Sequence, residues 1–242
     1  MTDPRALIHD SADQLAHDVA GRLLTVITAM QAEGRIPQIA LTGGTIADKI
    51  HAEVARQASG SPVLWGQVEF WWGDERFVPR EDPQRNALHA RNAMLDHLPV
   101  NQSRVHEIPA SDEADSPDAA AVIYSDRLRN SGVGDFDVVM LGLGQNGHVA
   151  SLMPHSPALH VTDRIAVGVT DSPKPPPNRV SLTFDALNRT REVWFVVAGE
   201  DKAEAVARAL AEEGSVEETP ARGIHGRLRT HWFIDVDAAQ KI

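Results

Sequence analysis

The residues able to do chemistry fall in four short segments. The stretch LGLGQNGHVASL, Leu141 to Leu152, sets Gly142, Gly144 and Gly147 in Gly-x-Gly-x-x-Gly spacing, with His148 directly after the last glycine. That spacing can mark a dinucleotide-binding turn, but the fingerprint also needs a full helix after its third glycine and an acidic residue about twenty positions on. Only Val149 to Met153 separate His148 from Pro154, leaving barely a helical turn. A histidine held on a glycine loop is better suited to general-base work, because its unperturbed pKa of about 6.5 lets it accept a proton near neutral pH. Flanking backbone N–H groups could stabilise an oxyanion. The bland alternative is a histidine that caps a helix.

Three other segments are candidates for holding a ligand. Gly43-Gly44-Thr45 lies between an apolar strand and a helical stretch. Glycines admit a ligand close to the backbone, and a helix start offers unpaired N–H groups to a phosphate. A tight turn capped by Thr45 would look the same in sequence. No Gly-Lys-Ser/Thr follows, so the segment is not a P-loop. Asp74-Glu75-Arg76 closes an aromatic run; its carboxylate and guanidinium can orient hydroxyls and grip an anion, or form a surface ion pair. Trp71 and Trp72, on opposite faces of a strand, read as packing residues. In SPKPPPNR, prolines stiffen the chain around Lys174 and Arg179, as an ordered loop or as a polyproline linker. There is no cysteine and no His-Glu-x-x-His pair, so no metal site and no cofactor are expected.

These segments need a scaffold, and the apolar pattern supplies one. Residues 11–32 carry Leu15, Val19, Leu23, Val26, Ile27 and Met30 at helical spacing, ended by Gly34. PQIALTGG predicts a strand, TIADKIHAEVARQ a helix, VEFWWGDE a strand and NALHARNAMLDHL a helix. An acidic turn over 110–118 precedes the helix AAAVIYSDRLRN, and DFDVVMLGLG reads as a strand buried on both faces. RIAVGVT, RVSLTF and EVWFVVAG predict strands, DKAEAVARALAEE a helix, and HWFID a last strand. The alternation argues an α/β, Rossmann-like fold with a largely parallel sheet flanked by helices, read as one domain over residues 1–242. LTGGT, WWGDER and GLGQNGH each leave a predicted strand, so parallel neighbours would bring them to one sheet edge.

Composition narrows the partners. A net charge of −11 argues against a nucleic-acid or anionic-membrane surface. No apolar run approaches a membrane span, and MTDPRALIHD lacks a basic-then-apolar signal pattern. A cytoplasmic protein with a small-molecule partner is the expectation; the oligomeric state is left open, with a monomer compatible.

Together the four segments resemble the 6-phosphogluconolactonase family along most of the chain. Its Leu-Ser-Gly-Gly-Ser-Thr-Pro element corresponds to LTGGTIA, its Trp-Gly-Asp-Glu-Arg element to WGDER, and its glycine–histidine loop to GQNGHVASLMP. DSPKPPPNRVSLT matches its proline-rich segment, and Asn86, Pro220-Ala221 and the WFIDVDAA tail also fit. The resemblance implies hydrolysis of 6-phosphoglucono-δ-lactone in the oxidative pentose phosphate pathway, on a fold shared with sugar-phosphate isomerases and deaminases. It implies His148 as the base that activates water and Asp74 and Arg76 as site residues. It also implies Gly43, Gly44, Thr45, Lys174 and Arg179 as groups holding the phosphorylated substrate. Asn146 stands where the family usually has Asp; it can still hydrogen-bond His148 but cannot stabilise imidazolium by charge. Ile46 replaces a hydroxyl residue, and Arg85 replaces the Ser before Asn86. Ser151 lacks a nucleophile-elbow context and reads as part of a short helix start.

Two rivals share features with this pattern. An amino-sugar-phosphate deaminase has Phe-Asn-Glu-Pro after its glycine–histidine loop and Asp-Glu-Tyr in the aromatic strand; here the residues are Ala150-Ser151-Leu152-Met153-Pro154 and Asp74-Glu75-Arg76. A non-catalytic sugar-phosphate sensor would carry a DNA-binding helical module and a basic face, and neither is visible.

Overall fold

The computed structural model of the chain describes residues 5–132 and 134–242; the N-terminal stretch read for a targeting signal lies partly outside them. In chain order the elements are β1 (Arg5–His9), α1 (Ala12–Ala32), β2 (Gln38–Leu41), α2 (Thr45–Ala58), β3 (Glu69–Trp72), β4 (Asp74–Arg76), α3 (Asn86–Ala93) and α4 (Pro117–Asn130). There follow β5 (Phe136–Leu141), β6 (Ala166–Val169), β7 (Arg179–Leu182), α5 (Phe184–Asn188), β8 (Thr190–Val197), α6 (Ala203–Leu210) and β9 (Arg229–Asp235).

Six strands make one wholly parallel sheet in the order β1-β9-β8-β5-β2-β3. All six residues of β5 are buried, as expected of a central strand covered on both faces. The chain runs outward from β2 to β3, then returns to the other side of β2 to lay down β5. The connections therefore reverse between β2 and β5, and the crevice at their carboxyl ends is where such sheets bind ligands. LTGG leaves β2 and GLGQNGH leaves β5, so the two glycine loops face each other across that crevice. A Cβ on Gly142 would lie 3.9 Å from the Gly43 carbonyl.

The predicted strand VEFWWGDE is two strands in two sheets. β3 belongs to the parallel sheet, whereas β4 joins β7 and β6 in a small antiparallel sheet ordered β4-β7-β6. Gly73 is the joint: its N–H donates to Leu41 O at 3.0 Å and its carbonyl accepts from Leu182 N at 2.9 Å. RIAVGVT and RVSLTF thus extend this second sheet, not the parallel one. Their residues alternate no differently from the others, and pairing direction is set by long-range contacts that periodicity does not encode. β1 has no counterpart in the prediction; it is held to the edge by β9 alone.

Local signals set several helix ends. The Ser11 hydroxyl accepts from Gln14 N at 3.1 Å at the start of α1, and Ser116 caps α4 with Pro117 in the first turn, two residues before the predicted AAAVIYSDRLRN. NALHARNAMLDHL is shorter than predicted: α3 ends at Ala93, where Met94 leaves helical geometry, and a 3-10 turn follows. DKAEAVARALAEE likewise splits into a 3-10 turn over Glu200–Lys202 and α6. Trp71 and Trp72 are buried core residues, and Tyr124 of α4 fastens the end of β3 by accepting from Trp72 N (2.9 Å) and donating to Trp72 O (3.0 Å).

The small sheet seats closely on α4, where Ala166 N of β6 donates to Ser125 Oγ at 3.1 Å. A Cβ on Gly168 of β6 would stand 2.6 Å from Asp118 N and 2.7 Å from Pro117 C, both main-chain atoms. Gly168→Ala must push sheet and helix apart, and it is expected to destabilise the fold by about 1–3 kcal/mol. Urea unfolding should show a lower midpoint with unchanged slope; an unchanged midpoint would contradict the packing.

Candidate active site

A cavity of about 590 Å³ opens at the crevice between β2 and β5. Its wall brings together Gly43, Gly44, Thr45, Asp74, Arg76, His148, Lys174 and Arg179, residues drawn from all four segments. Asn146 does not line it; it is exposed and is linked to the cavity through its bond to His148.

The three glycines of the β5 loop each answer a separate steric demand. Gly142 lets that loop pass close to the β2 loop. Gly144 lies under the His148 ring: a Cβ there would be 1.9 Å from Nδ1. Gly147 has φ 86°, a left-handed value that favours glycine, and a Cβ would meet the Thr219 methyl at 2.9 Å. The loop is closed by Gly144 N–H donating to His148 O (2.9 Å) and Gly147 N–H to Gly144 O (2.8 Å). His148 does not cap a helix; the segment is a turn with a β-bridge between Val149 and Leu152. The N–H groups of Gly144, Gly147, His148 and Val149 are engaged within the loop, so these four are not free to serve an oxyanion. They close a tight turn, and a turn spends its own donors.

Asn146 Oδ1 lies 2.6 Å from His148 Nδ1. An amide oxygen can only accept, so Nδ1 carries the proton and Nε2 is left as a lone-pair acceptor. Burial pushes the imidazole pKa down to about 4, and Lys174, Arg179, Lys202 and Arg76 push in the same direction. At neutral pH the ring is therefore uncharged and able to take a proton.

The β4 segment is more deeply built than an ion pair. Asp74 is buried and accepts from Ser151 Oγ at 2.7 Å through Oδ2. Glu75, 1% exposed, accepts three main-chain N–H groups: Arg76 (2.7 Å), Asn86 (2.8 Å) and Ala87 (2.8 Å). Burial raises the Glu75 pKa, while Arg85 and those amides oppose the rise. Arg85 is fully buried, donates to Ile108 O at 2.8 Å, and stands 3.9 Å from Glu75 and 4.0 Å from Glu107. The arginine in place of the family's serine is thus a buried counter-charge beneath the site. Above it, Arg76 Nη1 donates to Gln84 O (2.9 Å) and to Asn86 Oδ1, and Asn86 Nδ2 donates to Asp74 O (3.1 Å). A Cβ on Gly43 would be 1.8 Å from Asn86 Oδ1, so the first β2 glycine is required by this asparagine.

The proline segment is ordered around Arg179. Its guanidinium donates to the carbonyls of Lys174 (2.8 Å), Pro175 (3.2 Å) and Pro176 (3.1 Å), and Arg179 pairs with Arg76 across β4 and β7. Burial lowers the Lys174 pKa, and Lys202, Arg76 and Arg179 lower it further. Lys202 is the residue that sequence reasoning missed. It follows Gly199, the glycine at the exit of β8, and lines the same cavity; the rule of a glycine at a strand exit, applied to EVWFVVAG, points to it. On the opposite wall Gly44, with φ 108°, is the N-cap of α2 and Thr45 its first residue, so the cap is the glycine rather than the threonine. Ile46 lines the cavity with an apolar side chain. Among the described residues no group of three or more His, Asp or Glu side chains could hold a metal ion.

A neutral histidine oriented by an amide and crowded by cations can remove a proton from a water or hydroxyl next to a bound anion. In NMR the free protein's His148 should titrate near pH 4, and Asn146→Asp should raise that value because a carboxylate stabilises imidazolium. A wild-type titration near the ordinary histidine value would contradict the desolvated, cationic setting.

Comparison with known proteins agrees with this architecture. Residues 10–232 match the family described as glucosamine-6-phosphate isomerases/6-phosphogluconolactonase. The 6-phosphogluconolactonase of Streptomyces coelicolor is 41% identical, over 99% of this chain and 95% of the relative. The crystal structure of 6-phosphogluconolactonase from Leishmania guyanensis superposes with a TM-score of 0.85 at 25% identity, covering 99% of this chain and 98% of that one. A monomeric glucosamine-6-phosphate deaminase superposes with a TM-score of 0.82 at 18% identity, over 98% of this chain and 100% of that one, a likeness of fold alone. The chain belongs to the glucosamine-6-phosphate isomerase/6-phosphogluconolactonase family.

Proposed function

We propose that this chain hydrolyses 6-phospho-D-glucono-1,5-lactone to 6-phospho-D-gluconate, the lactone-opening step of the oxidative pentose phosphate pathway. One observation carries this function: a neutral, tautomer-fixed His148 shares a single cavity with Arg76, Lys174, Arg179 and Lys202. The relatives named 6-phosphogluconolactonase, similar over nearly their whole length, supply the substrate.

His148 Nε2 takes a proton from water as its oxygen bonds to the lactone carbonyl carbon. The carbonyl oxygen becomes an oxyanion, and the cations stabilise it, since the amides of Gly144, Gly147, His148 and Val149 are engaged within the turn. Collapse of the tetrahedral intermediate breaks the bond to the ring oxygen, which receives the proton from imidazolium and leaves as a hydroxyl. The phosphate sits against Gly43, Gly44 and Thr45 at the start of α2, where helix N–H groups and the dipole favour an anion, with Lys174 and Arg179 among the balancing cations. A bound dianion opposes the field of the cations, so substrate binding itself raises the basicity of His148. No covalent nucleophile enters this scheme; a δ-lactone is an activated ester that water opens slowly unaided.

The deaminase alternative lacks support at the site. Its extra carboxylate after the histidine loop has no counterpart, because the continuation is Ala150-Ser151-Leu152-Met153-Pro154, with Met153 before the proline where Phe-Asn-Glu-Pro has its glutamate. Among the described residues no helix is long and apolar enough to cross a membrane. We place the protein in the cytoplasm, as one domain over residues 1–242 acting on a small phosphosugar.

Hydrolysis of freshly generated 6-phosphogluconolactone, corrected for the spontaneous rate, is the test. Wild type should accelerate it strongly, and folded His148→Ala should lose about 10²–10⁴-fold. Retained activity in the variant would move the base elsewhere. No acceleration by wild type, or ammonia release from glucosamine 6-phosphate, would overturn the lactonase function.

A further inference from the structure

Ser151 lies three residues beyond His148 and is wholly buried. It belongs to no helix start: it sits inside the β-bridged turn between Val149 and Leu152. Its hydroxyl donates to Asp74 Oδ2 at 2.7 Å, and its N–H donates to Ser181 Oγ at 3.3 Å. Ser181 is the strand partner of Asp74 across β4 and β7, so both anchors of Ser151 fall on one rung of the small sheet. The residue before it, Ala150, has φ 50° and lines the cavity. A left-handed alanine is uncommon and persists only where its surroundings over-determine it; the two Ser151 bonds do so here.

Asp74 is the cavity carboxylate on the same strand as Arg76. It interacts electrostatically with Lys174 and Arg179, yet among the described residues it makes no ion pair with either. Its committed oxygen is Oδ2; Oδ1 has no hydrogen-bond donor among the described residues, and Asp74 lines the cavity. A carboxylate released from Ser151 can rotate about its side-chain bonds and pair with a neighbouring cation. That pairing would cancel charge available to a phosphate and remove an acceptor from the cavity.

We propose that Ser151 is a positioning residue: by holding Asp74 Oδ2 it keeps the carboxylate off the cations and leaves Oδ1 to accept a hydroxyl of the bound sugar. The proposal rests on the lactonase function and adds a determinant of substrate affinity to it. The His148 loop keeps its own closing bonds, Gly144 N–H to His148 O and His148 Nδ1 to Asn146 Oδ1, so the base does not depend on Ser151.

The test is a double-mutant cycle on the whole protein with Ser151→Ala, Asp74→Ala and both together, reading kcat, KM and inorganic phosphate affinity by calorimetry. Ser151→Ala should raise KM and the phosphate dissociation constant by about tenfold while kcat moves by less than about threefold, because His148 is untouched. In the Asp74→Ala background Ser151→Ala should add nothing further. Wild-type KM and phosphate affinity in Ser151→Ala would overturn the proposal, as would a Ser151→Ala effect of equal size with and without Asp74. Should Ser151→Ala fail to fold, the near-isosteric weak donor Ser151→Cys takes its place, with a smaller effect in the same direction expected. If wild type fails to accelerate lactone hydrolysis, the lactonase function falls, and the phosphate titrations on the same variants still decide the role of Ser151.

Discussion

Like-charge crowding is the constraint around which this molecule is organised. A chain of net charge −11 gathers Arg76, Lys174, Arg179 and Lys202 around one histidine in one crevice. Cations brought together out of water repel, and the repulsion must be met by fixed partners. Carbonyls of the proline segment meet Arg179, Gln84 and Asn86 meet Arg76, and Asp201 lies 3.4 Å from Lys202. Most of these partners are neutral dipoles that satisfy donors without cancelling charge. The cations therefore keep their charge, add to burial in holding His148 deprotonated, and offer a phosphorylated ligand a compensating role.

The second sheet makes that arrangement possible. A parallel sheet alone delivers loops to its carboxyl edge, but β4 and β7 are antiparallel partners, and their pairing sets Arg76 opposite Arg179. Gly73 carries the chain from one sheet to the other, so the aromatic half of the WWGDER run serves the core and the charged half serves the cavity. Beneath it, Glu75 and Arg85 fix the main chain that carries Arg76 and Asn86. Charge appears at two depths: Glu75 and Arg85 buried below the cavity, Asp74, Arg76 and Arg179 lining it.

The glycine–histidine loop shows how far local sequence can mislead. Its spacing is that of a dinucleotide fingerprint, yet each glycine answers a different neighbour: the β2 loop, the His148 ring and Thr219. The loop spends four of its amides on closing its turn, and the charged side chains of the cavity arrive from β4, from the segment before β7 and from the turn after β8.

The sequence by itself determined the element types, the strand-exit loops and the residue types of the site, because periodicity, glycine and proline placement and His, Asp, Arg and Lys chemistry are local properties. Those signals were enough to bring the loops carrying His148, Asp74, Arg76 and Gly43-Gly44-Thr45 to one sheet edge; Lys174 and Arg179 joined them through the family resemblance. Tertiary structure alone decided that VEFWWGDE divides between two sheets, that β6 and β7 run antiparallel, that Lys202 joins the cavity, and that Ser151 and Arg85 are buried partners of Asp74 and Glu75. Each of these depends on which distant segment lies alongside. Pairing direction, burial and field strength are properties of the packed whole, and no window of the chain contains both partners.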